Sequence, residues 1–261
     1  MVSKLWHKMR GMNTKLVELI TKRERIIREI INWFEDNAPF ADAVIGISGG
    51  KDSTIAAALL VRALGRSRVV GVMMPNGEQK DITDAQRVID LLGIKGKYIN
   101  IGNTYNALKN ELALGETYMT EQAKTNLPPR LRMATLYAVA QSLPREGIVI
   151  NTCNASEDYI GYSTKFGDSA GDFSVLGNLL VSEVIEIGDT LSELPEDLIH
   201  KTPSDGLCGK TDEENFGFTY DDLENYITKG TTGIEIIDKK IKFMHDNSRH
   251  KYNPIYTCWK I

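Results

Sequence analysis

The chain has 261 residues, 42% hydrophobic and 25% charged, with a formal net charge of -4. That balance belongs to an ordered globular protein and not to a disordered tract. The acidic excess weighs against nucleic-acid binding, which favours a basic surplus.

The three cysteines, Cys153, Cys208 and Cys258, are too few and too scattered for a disulfide framework or a zinc site. The first residues show no charged-then-apolar leader pattern, and no apolar run approaches the roughly 20 residues that span a bilayer. The expectation is a cytoplasmic protein with small-molecule partners, no nucleic acid and no membrane. The Lys- and Arg-rich stretch at 4–28 reads as the solvated face of a helix.

In residues 13–35 the apolar side chains Leu16, Leu19, Ile20, Ile26, Ile27, Ile30, Ile31 and Phe34 recur mostly at helical spacing, with a break at Arg23. They predict an amphipathic helix, which Asn37-Ala38-Pro39 ends. Residues 43–47 form a short apolar run that reads as a strand buried on both faces. A helix follows at 55–61, closed by Gly65. A second strand is predicted at 68–74, a helix at 81–92 and a third strand at 98–101. Helices at 104–114 and 131–143 and a strand at 147–151 complete the alternation.

Strands alternating with helices, without hairpin signals, predict an α/β fold: a doubly wound parallel sheet with helices on both faces, Rossmann-like. Ligands of such sheets bind beyond the carboxyl ends of the strands. Past Phe166 the pattern weakens, and Gly and Pro punctuate the chain until a final helix at 232–245. The organisation expected is one domain over 1–261. It comprises an N-terminal helix (13–35), a nucleotide-binding core (42–165) and loops and helices covering the site (166–261).

The sharpest motif leaves the first strand: Gly46-Ile47-Ser48-Gly49-Gly50-Lys51-Asp52-Ser53-Thr54. Its glycines let the backbone approach a ligand closely. The free N–H groups and dipole of the following helix favour an anion, and the hydroxyls add donors. Neither the P-loop spacing nor G-x-G-x-x-G is present. Asp52 inside an anion-binding loop makes sense as a Mg²⁺ ligand beside phosphate oxygens.

The segment resembles the S-G-G-x-D-S/T loop of the ATP pyrophosphatases, which cut ATP between its α- and β-phosphates. Further motifs are similar to those of the ammonia-dependent NAD synthetases, over nearly the whole chain. They are Pro75-Asn76-Gly77-Glu78-Gln79-Lys80-Asp81 with Asp84-Ala85, then Asn126 to Met133 around Arg130 and Arg132. Thr152, Glu157, Gly161, Thr164-Lys165-Phe166-Gly167-Asp168 and Asp172 complete the set.

This resemblance implies that ATP is a co-substrate bound by Gly46 to Ser53, Thr152 and Ser204. It implies Mg²⁺ on Asp52 and Glu157, and deamido-NAD on Arg130, Lys165, Asp172, His250 and Lys251. Asp168 would lie where ammonia sits, and Lys165 would steady the anion formed when ammonia attacks. The implied reaction adenylates the nicotinate carboxylate and then amidates it, giving NAD, AMP and pyrophosphate, the last step of NAD biosynthesis.

A homodimer is also implied, and the first helix offers an apolar face for it. With little chain before Ala43, an added glutamine-hydrolysing domain is not expected. Two departures stand out. Cys153-Asn154 replace the family's Asp-His, and neither is a candidate for chemistry. Val181 stands where a phosphate-contacting Lys is usual, with Lys51 or Lys210 as the expected substitute. The competing readings are another ATP pyrophosphatase, such as a tRNA-modifying thiolase or a GMP synthetase, and a non-catalytic ATP-binding module.

Overall fold

The computed structural model describes residues 14–79, 82–201 and 211–253. Helix α1 (Thr14–Asn37) buries Ile27, Ile30 and Phe34, spaced three and four apart on one face. These residues pack into the protein's own core with Ile55, Leu59 and Val184. The C-terminal half of the apolar face expected to serve a dimer is therefore used within the subunit, while Leu16 in the N-terminal half stays exposed.

Strands β1 (Asp42–Gly46) and β2 (Val69–Met73) are short and almost wholly buried. Between them runs α2 (Lys51–Leu64), which starts four residues before its apolar run because the phosphate loop is itself the helix entry. Helix α3 (Ile82–Leu92) follows β2 and leads to β3 (Lys95–Tyr98). β3 is displaced from the expected 98–101. It is an edge strand with mostly exposed side chains, so it lacks an apolar signature. The expected stretch still runs beside β2, through bonds from Ile99 N to Met73 O and from Ile101 N to Pro75 O, both 2.9 Å.

Helix α4 (Gly102–Leu114) is followed by α5 (Glu121–Gln141). The latter begins ten residues before the expected start at 131. Thr120 caps it by accepting from Ala123 N, and the helix then runs through Pro128 and Pro129. Neither proline can donate to the carbonyl four residues back, which is why the sequence reads as a break there.

Strand β4 (Gly147–Asn151) falls where expected. The sheet gains a fifth strand, β5 (Phe173–Ser174), too short to show a pattern. Helices α6 (Ala155–Ile160), α7 (Val181–Gly188), α8 (Glu196–Ile199), α9 (Asp212–Phe216), α10 (Tyr220–Lys229) and α11 (Glu235–Ser248) follow.

The sheet order among the described residues is β3-β2-β1-β4-β5, with every pairing parallel. Successive residues of β1 point to opposite faces. Ala43 and Ile45 enter one core with α1, α2 and α7, and Val44 enters the other with α5. A third apolar cluster of Ile160, Phe216, Leu223 and Ile241 joins α6, α9, α10 and α11. Val181 is buried in this cluster, so the position carries packing and not a cation. The strand order reverses between β1 and β4, and such a switch point opens a crevice at the carboxyl ends.

Candidate active site

That crevice is a cavity of about 520 Å³. Gly46 to Ser48 and Gly50 to Ser53 line it from the β1–α2 loop, and Thr152 and Glu157 from beyond β4. Asp168 and Lys251 close it from the C-terminal part of the chain. Val72, Met74, Met133 and Leu136 form an apolar wall.

The loop is ordered by its own polar groups. Gly50 N donates to Ser48 Oγ at 3.1 Å, and the Ser48 and Ser53 hydroxyls lie 3.1 Å apart. Thr54 Oγ1 donates to Gly50 O at 2.7 Å. Gly49 sits at φ 80°, a backbone setting that suits glycine. Gly50 is the N-cap of α2 and has no side chain to bond its amides. The first N–H groups of the helix are therefore open to an anion.

Asp52 of the loop faces the half-buried Glu157 and the buried Asp212. Lys51 Nζ pairs with Asp52 Oδ2 at 2.6 Å, and the Lys51 side chain is only 2% exposed. Burial pushes its pKa down, but Asp52 and Glu157 outweigh that and the net shift is upward. Burial raises the Glu157 carboxyl to about 8, with repulsion from Asp52 and Asp212 adding to the rise and Lys51 opposing it. Asp212, buried at the start of α9, accepts from Tyr220 Oη at 3.1 Å. Burial raises the Tyr220 phenol far above its ordinary value, with repulsion from Glu157 and Asp212 adding to it.

Asp168 is exposed to the open cavity, yet desolvation by the protein around it holds its pKa above the ordinary carboxylate value. Thr164 N donates to its Oδ1 at 2.8 Å. Lys251 Nζ is held by the carbonyls of Gly161 and Ser163 at 2.6 and 2.7 Å.

The remaining sequence candidates lie outside the cavity lining. Arg130 is exposed, with Nε on Lys165 O at 3.1 Å, and Lys165 Nζ reaches His250 O at 2.7 Å. These three form one string at the rim. Asp172 is tied to Tyr137 Oη and Val149 N, both at 2.9 Å, at the edge of the sheet. Ser204 and Lys210 fall outside the described residues.

Two charged lining residues, Lys201 and Asp212, escape the sequence reading, and a third, Arg132, enters it only as a motif residue. Lys201 Nζ lies 2.7 Å from Asp84 Oδ2 and 3.3 Å from Gly49 O, beside the phosphate loop. Its only sequence cue is its nearness to Pro203-Ser204. Asp212 hides in Thr211-Asp212-Glu213-Glu214, which reads as a helix-capping box and is one. Arg132, and not Arg130, lines the cavity. Its Nε holds Met74 O at 3.0 Å, and burial lowers its pKa, with Asp168 opposing.

Residues 19–254 match the family described as NAD synthase. The chain belongs to that family. Relatives named NH(3)-dependent NAD(+) synthetase include one from Carboxydothermus hydrogenoformans, 37% identical over 87% of this chain and 94% of its own. Another, from Finegoldia magna, is 36% identical over 87% and 92%. The solved NMN synthetase from Francisella tularensis shares 36% identity at a TM-score of 0.79, over 90% of this chain and 98% of its own. NAD synthetases are ligases. The family thus agrees with the α/β fold and with the cavity at the switch point of the sheet.

Proposed function

We propose that the chain uses ATP to adenylate the nicotinate carboxylate of deamido-NAD and then exchanges AMP for ammonia, forming NAD. The observation that carries this reading is one cavity lined at once by the phosphate loop, by Glu157 and by Asp168. A carboxylate is a poor electrophile. Transfer of AMP to its oxygen releases pyrophosphate and turns that oxygen into a leaving group. Ammonia attack then expels AMP and leaves the amide.

The α2 amides and the Ser48 and Ser53 hydroxyls hold the departing pyrophosphate. Asp168 orients ammonium and accepts a proton, and Lys165 steadies the oxyanion once it leaves the His250 carbonyl. Arg130, Lys165 and His250 at the rim, with Lys251 in the cavity and Asp172 at the sheet edge, hold deamido-NAD, and Thr152 and Ser204 bind ATP. The contributions of Asp168, Lys201, Asp212 and Lys251 support the reading of residues 166–261 as a cover over the core.

Asp52 and Glu157 would hold Mg²⁺. Their mutual repulsion in a buried setting suits a cation. Among the described residues no three His, Cys, Asp or Glu side chains converge as a metal cage, and Mg²⁺ characteristically takes one or two carboxylates with phosphate oxygens. When bound, it supplies charge neutralisation at the phosphates.

A homodimer is part of the same reading. Its support is the exposed Leu16 of α1 and the exposed Leu108, Leu114 and Tyr118 in and after α4. No helix among the described residues is long and apolar enough to cross a membrane, and the proposed setting is the cytoplasm.

A second reading is favoured by the likeness to the NMN synthetase: a mononucleotide acid in place of the dinucleotide. One assay separates them. NAD and AMP appearing together from deamido-NAD, ATP, Mg²⁺ and ammonium, and not with glutamine, supports the first reading. Faster turnover of nicotinate mononucleotide would replace it with the second.

A further inference from the structure

Asn154 stands at a position the sequence gives no chemistry, yet it is fully buried between the two acidic elements of the site. It is the N-cap of α6, and its Oδ1 accepts from Glu157 N at 3.0 Å. Its Nδ2 donates to Asp52 Oδ1 at 3.3 Å. Only the amide oxygen can accept from an N–H, so the NH₂ group must face the carboxylate. Lys51 takes the other oxygen, Oδ2, at 2.6 Å. Both oxygens of Asp52 are thus held, each with a lone pair left for a ligand.

Asn154 ties the phosphate loop to the helix that carries Glu157, and it does so without charge. A cation there would compete with a metal, and a carboxylate would oppose Asp52. An amide is the one group of this size that caps a helix with one end and donates to a carboxylate with the other.

We propose that Asn154 is a positioning residue that aligns Asp52 with Glu157 for a shared divalent cation. This rests on the reading of those carboxylates as the Mg²⁺ site. Groups that orient metal carboxylates typically change metal affinity by about 10–100-fold when removed.

The test uses the full chain and calorimetric titration of ATP at a series of Mg²⁺ concentrations, with melting curves alongside. Asn154→Ser keeps a capping oxygen and loses the donor to Asp52, whereas Asn154→Ala loses both. The expected result is a Mg²⁺ midpoint about tenfold higher in both variants, with the melting temperature lowered more in Asn154→Ala. A midpoint shifted in Asn154→Ala but not in Asn154→Ser would assign the effect to the cap and overturn the proposal. Asp52→Asn separates the two layers. If it shifts the midpoint while both Asn154 variants match the parent, Asn154 has no such role. If Asp52→Asn itself leaves the midpoint unchanged, the metal reading falls and takes this proposal with it.

Discussion

The two walls of the cavity are built in different ways. The phosphate-loop wall is local: Ser48, Gly50, Ser53 and Thr54 bond one another within the single stretch 48–54. The opposite wall is assembled from far apart, with Lys251 on the carbonyls of Gly161 and Ser163, and Lys165 on that of His250 at the rim beside it. Cations there are parked on neutral carbonyls, which an anionic ligand can outcompete because it meets the ammonium with a full opposite charge and not only a dipole. One wall is set before the ligand arrives, and the other has bonds to exchange on binding.

The largest expected effect lies between the walls. Asp168→Asn should lower turnover with ammonium by about 10²–10⁴-fold, the range for a positioned acid–base group. Desolvation raises the Asp168 pKa, and the ionised form is the working one. Activity should therefore fall on acidification from a higher pH than an ordinary aspartate would set, and the variant should lack that limb in a profile of kcat/KM for ammonium.

Gly161→Ala tests the assembled wall. Gly161 sits at φ 66°, and a Cβ there would lie 2.1 Å from Ser248 Cβ of α11. Overpacking of this kind costs about 1–3 kcal/mol. A lower urea midpoint with a raised KM for the pyridine substrate and an unchanged KM for ATP would sharpen the contrast. Equal changes in both KM values would break it.

Lys201→Ala tests the local wall from outside the loop. Loss of a charge-assisted contact of about 1.5 kcal/mol should raise the KM for ATP about tenfold, with little change in kcat. The smallest effect belongs to the sheet edge. Burial first, then Asp172, pushes the Tyr137 phenol up to about 12. Its stabilising contribution is complete below the ordinary tyrosine value near 10 and is lost as pH rises through about 12. Tyr137→Phe should flatten that alkaline loss in denaturation curves taken across pH 10–12.

What the sequence shows follows the same division. β1, β2 and β4 are legible because burial on both faces demands continuous apolar runs, and the loop because its chemistry is contiguous. β3 is misplaced because an exposed edge needs no apolar run, and α5 because its prolines lie inside the helix. Lys201 and Asp212 escape because what brings them to the cavity is tertiary, and for the same reason Arg132 is legible as a motif residue but not as a lining one. Asn154 escapes because its two partners lie three residues ahead and 102 behind.

The adjacency of β1 and β4 also has a temporal side. Some 102 residues separate Asp52 from Asn154. At a synthesis rate of about 5–20 residues per second, the phosphate loop is made roughly 5–20 s before Asn154 exists. During that interval the nascent chain has an anion-binding turn but no catalytic pocket. Nucleotide can stabilise only the finished fold, so ligand-dependent protection from proteolysis would report completion of the chain and not its beginning.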